Sequence, residues 1–212
     1  MFVPPSDRTI GDSEWRPFAA AQQFGQFIAP GRDRRWPAVA PTQYVLDDDE
    51  VLVHFAAPNP VLEALAEEPS AVLSVAGDWA FIPSDWKVIG DEDPLAGIPT
   101  TYYAAVQLRG RAEVVVEPER IAGVLRRQLQ RLQPGTSIGD PLETHPGKLR
   151  AIRAVVLTVE EVVAKFKFGG NVDVEHRMAV IDRLEERGGP GDRAAAAHAR
   201  RRIEAVRPGT DG

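Results

Sequence analysis

The sequence predicts a mostly β fold: an antiparallel barrel with peripheral helices between its hairpins and more helices at the C-terminus. Three observations predict it. Apolar runs of strand length recur as far as Lys167 and are separated by short polar turns, as in hairpins. Helical periodicities are inserted between these runs without alternating strictly with them, which disfavours a doubly wound parallel sheet. From Val174 onward the apolar period becomes helical.

Taken in order, Trp15, Phe18, Ala19, Gln22 and Gln23 recur at near-helical spacing, and Phe24–Ile28 then turns strand-like. Pro30–Arg35 is a polar turn. Residues 37–46 read as a strand interrupted by Pro41, which belongs at a sheet edge or a bulge because proline donates no ladder hydrogen bond. Asp47–Glu50 is a hairpin turn and Val51–Phe55 its returning strand. Four consecutive acids on a tight turn point in different directions, so this run is a solvated turn and not a metal site. Pro58-Asn59-Pro60 opens a helix through Leu62, Leu65 and Ala66 that stops before Pro69.

Ala71–Gly77 is a buried strand that continues into Phe81-Ile82, and Tyr103–Val116 is a long strand with a bend at Gly110. Ile121, Val124, Leu125, Leu129 and Leu132 mark a helix from Glu117-Pro118 to Pro134-Gly135. One more strand covers 149–159 and a further run covers 162–167. His176, Val180, Ile181 and Leu184 then share a helical stripe. Gly188–Gly191 breaks it, an Ala-rich helix follows, and the tail from Pro208 is disordered. The arginines of Arg200-Arg201-Arg202 read as a solvated helix face. The expected organisation is one barrel domain over residues 1–207, with a helical extension from about residue 174 and a tail at 208–212.

Composition narrows the chemistry. The 212 residues hold no cysteine, which excludes disulfides, thiolate metal ligands and cysteine nucleophiles and fits a reducing cytoplasm. A net charge of −6 argues against direct nucleic-acid binding, which needs a basic face. No apolar run reaches the roughly 20 residues that span a bilayer. No Gly-rich nucleotide loop, Gly-x-Ser-x-Gly elbow or His-Glu-x-x-His run is present.

What remains are hydroxyls, aromatics and lysines at strand ends. Ala80–Trp86 and Ile98–Val106 flank a Pro-bounded turn, and Lys165-Phe166-Lys167-Phe168-Gly169-Gly170-Asn171 adds lysines on one strand face and a glycine pair. Such groups suit the wall of a flat, charged cofactor.

These segments, together with Met1-Phe2-Val3-Pro4, His54–Pro60 and Gly110-Arg111, occur in an order and spacing that resembles the PaiB-like family. That family lies within the FMN-binding split-barrel superfamily, which is related to pyridoxamine-phosphate oxidases. The resemblance implies an FMN-binding split β-barrel, a homodimer with the cofactor at the subunit interface, and a redox or regulatory role. Members are commonly labelled negative transcriptional regulators. It marks His54, Ser84, Trp86, Thr100, Thr101, Tyr102, Lys165, Lys167 and Asn171 as cofactor-binding candidates and assigns no catalytic residue.

Several residues depart from the family pattern. Asp85 stands where a serine is usual, Thr101-Tyr102 where Trp-Asn is usual, and Gln107 where a histidine often follows. Asp85 would bring a like charge toward an FMN phosphate, with Lys87, Lys165, Lys167, Arg109 and Arg111 to compensate. The altered pocket makes haem b an alternative cofactor, with His54 as axial ligand. Some relatives resemble piperazate synthases, haem enzymes that form an N–N bond from N5-hydroxyornithine.

Overall fold

The computed structural model describes residues 1–93, 95–135, 137 and 139–205. Seven strands join in one sheet, β1 (Phe24–Ala29), β2 (Ala38–Gln43), β3 (Val45–Asp47), β4 (Glu50–Ala56), β5 (Ser70–Ile82), β6 (Thr100–Val115) and β7 (Ile152–Lys167). Their order is β2-β1-β5-β6-β7-β4-β3. The helices are α1 (Asp12–Gln22), α2 (Pro60–Glu67), α3 (Pro118–Leu132), α4 (Pro141–Thr144), α5 (Pro146–Leu149), α6 (Val174–Arg187) and α7 (Asp192–Glu204). The chain forms two compact units. One comprises Met1–Arg16, Ala76–Val106 and the chain from Ala164 on; the other comprises Pro17–Val75 and Gln107–Val163. Strands β5, β6 and β7 each pass from one unit into the other.

In the second unit the pairings of β1 and β4 are antiparallel. β1 pairs with β2 and β5, and β4 pairs with β3 and β7. Pro41 sits in β2, the edge strand, where a missing N–H costs least. The β3–β4 turn places Asp48 at φ 51°, the left-handed region that aspartate tolerates better than most residues. α2 begins with Pro60, and the Asn59 side chain accepts from the Val61 amide at 3.0 Å. The core joins Val45 and Leu52 to Ile121, Ala122 and Val124 of α3, with Val115, Leu149 and Ala154.

Two strand expectations change here. β7 is one strand from Ile152 to Lys167, not two runs, because Glu160 and Glu161 stay on exposed positions of the ladder and Glu161 accepts from Arg109 at 3.1 Å. The expected start at Leu149 belongs instead to α5, where Leu149 is buried. β6 continues through Gly110 without interruption. A Cβ there would collide with the Thr158 carbonyl, so the glycine serves close approach of two backbones.

In the first unit the C-terminal helices pack against each other. α6 starts at the N-cap Asp173, whose side chain accepts from the His176 amide, and ends at Gly188 in the left-handed conformation. Its inward stripe is Arg177, Val180, Ile181 and Leu184, so the expected Val180, Ile181 and Leu184 stand and Arg177 takes the place expected of His176. The arginine run of α7 is a solvated face only in part, with Arg201 exposed and Arg200 half-buried. Arg202 is buried and its guanidinium reaches both carboxylate oxygens of Glu14 at 2.9 Å and the carbonyls of Ser6 and Arg8. Arg201 donates to His198 Nδ1 at 2.8 Å, and Arg200 pairs with Glu185 at 3.0 Å. His198 is also buried. Its Nε2 meets Asp78 at 2.8 Å, and its ring stacks on Phe168 at 4.6 Å. The tail from Pro208 lies outside the described residues.

Candidate cofactor site

A cavity of about 620 Å³ opens in the first unit. The start of β6 supplies Thr100 and Tyr102 to it, and the end of β7 with the following loop supplies Lys167 and Asn171. The segment before β6 supplies Lys87, Ile98 and Pro99, and the start of α6 adds Asp173 and His176. The volume falls within the range of small-molecule sites.

Alternation along β7 builds one wall. Phe166 and Phe168 are fully buried, which leaves Lys165 and Lys167 on the opposite face, as the sequence predicts. Lys167 Nζ donates to Thr100 Oγ1 at 2.7 Å, so the Thr100 hydroxyl keeps its own proton for another acceptor. Lys87 faces the same cavity. Its amine is pushed below the usual lysine range, first by burial and then by the charge of Lys167. Two cations on one wall repel each other, and an anion between them relieves that repulsion. The Tyr102 hydroxyl is buried and has no hydrogen-bond partner, and burial pushes its pKa up to about 12. The lining donors therefore suit a phosphate: two ammonium groups, the Thr100 hydroxyl and an amide, with the Tyr102 hydroxyl beside them.

His176 guards the rim. Its Nδ1 lies 2.7 Å from Asp173 Oδ2 and its Nε2 lies 2.9 Å from Glu92 Oε2. A ring with a carboxylate at each nitrogen donates twice, so the charged form is favoured and its pKa is raised, with the Glu92 contact the largest cause.

The other expected candidates stand elsewhere. Ser84 and Trp86 are in a short 3-10 helix at Ser84–Lys87 and do not line the cavity. The Trp86 ring carries the Arg187 guanidinium at 4.6 Å, a cation–π contact. Thr101 alternates away from Thr100 and Tyr102. Lys165 pairs with Asp7 at 3.7 Å and lies 5.6 Å from the centre of the Tyr103 ring. The like charge expected of Asp85 is absent from the cavity wall: its side chain is exposed, and its carbonyl accepts from Arg183 at 3.0 Å. Arg109 and Arg111 lie in the second unit. The sequence marks His176 only as a member of a helical stripe and does not single out Asp173. The signal was the Asp-x-x-His spacing of a capped helix start.

His54 also lies in the second unit, so the cavity of Thr100 and Lys167 does not include it. It lines a separate cavity of about 470 Å³, whose wall is largely apolar and includes Leu125, Leu129, Leu149 and Ile152, with His145 and Lys148. Gln128 Nε2 donates to the Leu52 carbonyl at 3.0 Å, which turns Gln128 Oε1 toward His54 Nδ1 at 2.9 Å. An amide oxygen only accepts, so Nδ1 carries a proton, and the neutral tautomer this contact selects is the one with its lone pair on Nε2. Among the described residues no group of three or more His, Cys, Asp or Glu side chains is placed to hold a metal ion. No helix among them is long and apolar enough to cross a membrane.

An antiparallel seven-stranded sheet with such a donor-lined cavity defines a cofactor-binding protein of the split-barrel class. The sequence profile of the family described as "Putative FMN-binding domain" matches residues 1–161, and the chain belongs to that family. Over 203 residues it is 22% identical to Protease synthase and sporulation protein PAI 2 of Bacillus subtilis (strain 168), covering 92% of this chain and 95% of that protein. Among solved structures it is similar to the FAD and heme binding protein from Mycobacterium smegmatis, with a TM-score of 0.60, 18% identity, and 81% and 78% of the two chains covered. It is also similar to the flavocytochrome Anf3 from Azotobacter vinelandii, with a TM-score of 0.59, 21% identity, and 81% and 74% covered. At such identities the structural matches establish the split-barrel fold.

Proposed function

We propose that this chain binds FMN in the 620 Å³ cavity and serves a redox or regulatory role as a cytoplasmic homodimer. The observation that carries the reading is the pair of lysines, Lys87 and Lys167, facing one cavity beside the hydroxyls of Thr100 and Tyr102. The lysines and Thr100 hold the phosphate, and Asn171 adds its side-chain amide. Ile98, Pro99 and Val172 offer apolar surface to a ring. Bound FMN would supply the electron chemistry; the chain's residues hold and orient it. Exposed Trp79 and Phe81, alternating along β5, support a self-association surface. The site residues Ser84, Trp86, Thr101 and Lys165 stay outside the proposed phosphate set.

The test is an FMN titration followed by flavin fluorescence, with a K167A variant beside the parent chain. Saturable binding, weakened at least tenfold in K167A, supports the reading, since hydrogen bonds to charged groups contribute about 1.5–3 kcal/mol. A parent chain that leaves flavin fluorescence unchanged rules it out. Light scattering at several concentrations tests the homodimer, which a monomer throughout would exclude.

A second reading rests on its own observation: the free Nε2 of His54 at an apolar cavity, with Nδ1 held by Gln128. A neutral imidazole whose other nitrogen is anchored is a suitable axial ligand for haem iron. Under this reading the chain is a haem-dependent enzyme, such as a piperazate synthase forming the N–N bond from N5-hydroxyornithine. A Soret band on reconstitution that is lost in H54A supports it. A band of equal intensity in H54A excludes His54 as the ligand.

A further inference from the structure

The inward stripe of α6 begins with a cation. Val180, Ile181 and Leu184 occupy three of its positions and are essentially fully buried, while the fourth is Arg177, which is only 7% exposed. A leucine there would extend the apolar stripe at no electrostatic cost. Among the described residues no carboxylate, carbonyl or hydroxyl pairs with the Arg177 guanidinium, and its Nε is buried without a partner. Buried charges are ordinarily paired, because removing one from water costs several kcal/mol.

A second orphan stands close by. Tyr102 is 2% exposed and its hydroxyl has no partner. The charge of Arg177 acts on that hydroxyl, opposing the effect of burial. Gly169 sits against both. Its φ is +74°, and a Cβ there would collide with the Tyr102 hydroxyl and stand 3.1 Å from Arg177 Cγ. The glycine lets the backbone lie close against both side chains, whose Tyr102 hydroxyl and Arg177 Nε each lack a partner, and Tyr102 belongs at the same time to the cavity wall.

We propose that Tyr102 and Arg177 form an inner oxyanion subsite, entered through the cavity, for a carboxylate or phosphate group. The hydroxyl and the guanidinium both donate, and an oxyanion only accepts, so one ligand group satisfies both orphans. The subsite is distinct from the Lys87, Lys167 and Thr100 donors. It therefore gives the cavity a second anion position, suited to a small acidic molecule beside the group those lysines hold. The inference does not rest on the identity of the cofactor.

The experiment is a titration of the full chain with sodium acetate and, separately, with inorganic phosphate, read by the Arg177 Nε–H resonance in ¹H–¹⁵N spectra. A saturable shift with either anion is expected, and the arm with the tighter midpoint identifies carboxylate or phosphate as the preferred group. The parent and Y102F are compared. Y102F removes one donor without adding volume and is expected to weaken the response roughly tenfold, the loss of one charge-assisted hydrogen bond. R177M, if folded, is expected to lose the anion response of the residues around Tyr102 and Gly169 while any response at Lys167 and Thr100 persists, and an undiminished response around Tyr102 also overturns the proposal. An Arg177 resonance that responds to neither anion, as a trapped water bridging the two orphans would produce, overturns the proposal. So does an unchanged midpoint in Y102F. Saturable FMN binding alongside an unresponsive Arg177 overturns the subsite while leaving the cofactor reading standing.

Discussion

His176 Nε2 stands 2.9 Å from Glu92 Oε2 and so ties the first turn of α6 to the loop that precedes β6. The same loop supplies Gly97, Ile98 and Pro99 to the cavity wall. Glu92 Oε2 also accepts from the Ile89 amide at 3.0 Å, so one carboxylate closes its own turn and binds the helix.

This latch depends on pH with a definite sign. The His176 pKa is raised, so its contribution is fully present below the ordinary value of 6.5 and is lost as pH rises through the raised value. Glu92 is lowered, mainly by the His176 hydrogen bond, so its contribution is present above 4.5 and is lost as pH falls through the lowered value. The loop is expected to be best anchored from about pH 4.5 to 6.5 and to loosen above neutrality. Hydrogen exchange of residues 88–93 across pH 5 to 9 checks this, at about two-unit steps. E92Q is expected to remove the dependence, and a profile equally steep in E92Q would contradict the assignment.

The buried pair of Arg202 and Glu14 anchors α7 to the N-terminal segment. Their side chains are only 8% and 5% exposed. E14Q is expected to destabilise the protein by about 3–5 kcal/mol, because it strands a buried guanidinium. The double variant E14L/R202L should recover much of that loss. Urea melts of the parent, E14Q and E14L/R202L decide the point, and a double variant no more stable than E14Q would refute it.

Gly169→Ala is expected to cost about 1–3 kcal/mol through its left-handed backbone alone. It also pushes on the Tyr102 hydroxyl, so the tyrosine should titrate or fluoresce differently. A thermal melt unchanged from the parent would show that the backbone relaxes there.

Gln128→Leu tests the haem reading without touching the imidazole. Loss of the Oε1 acceptor frees the His54 tautomer. Haem affinity is expected to fall by roughly 10–100-fold, the usual effect of removing a partner of a ligating histidine. Equal affinity would mean that Gln128 serves only the Leu52 carbonyl.

The element order was largely legible because each strand and helix carries its own period. Pro41 at an edge, Asn59 as a cap and Gly188 as a stop all follow from local backbone chemistry. The expected gap between the runs 149–159 and 162–167 falls on Glu160-Glu161, which exposed ladder positions of one continuous strand accommodate. The cavity was legible only in part. Thr100, Tyr102, Lys167 and Asn171 come from segments the resemblance marked. Asp173 and His176 come from a helix start whose neighbour across the cavity no local pattern reveals. Arg177 was hidden because His176 and Arg177 both stand within helical reach of Val180 and Ile181, and periodicity alone does not choose between two polar neighbours.

The family profile ends at residue 161, yet Lys167, Asn171, Val172, Asp173 and His176 all line the cavity. The matched stretch thus supplies one bank of the pocket, and the residues after it supply the other. Exchanging side chains around the start of α6 would change what the cavity admits without touching Thr100 and Tyr102 on β6.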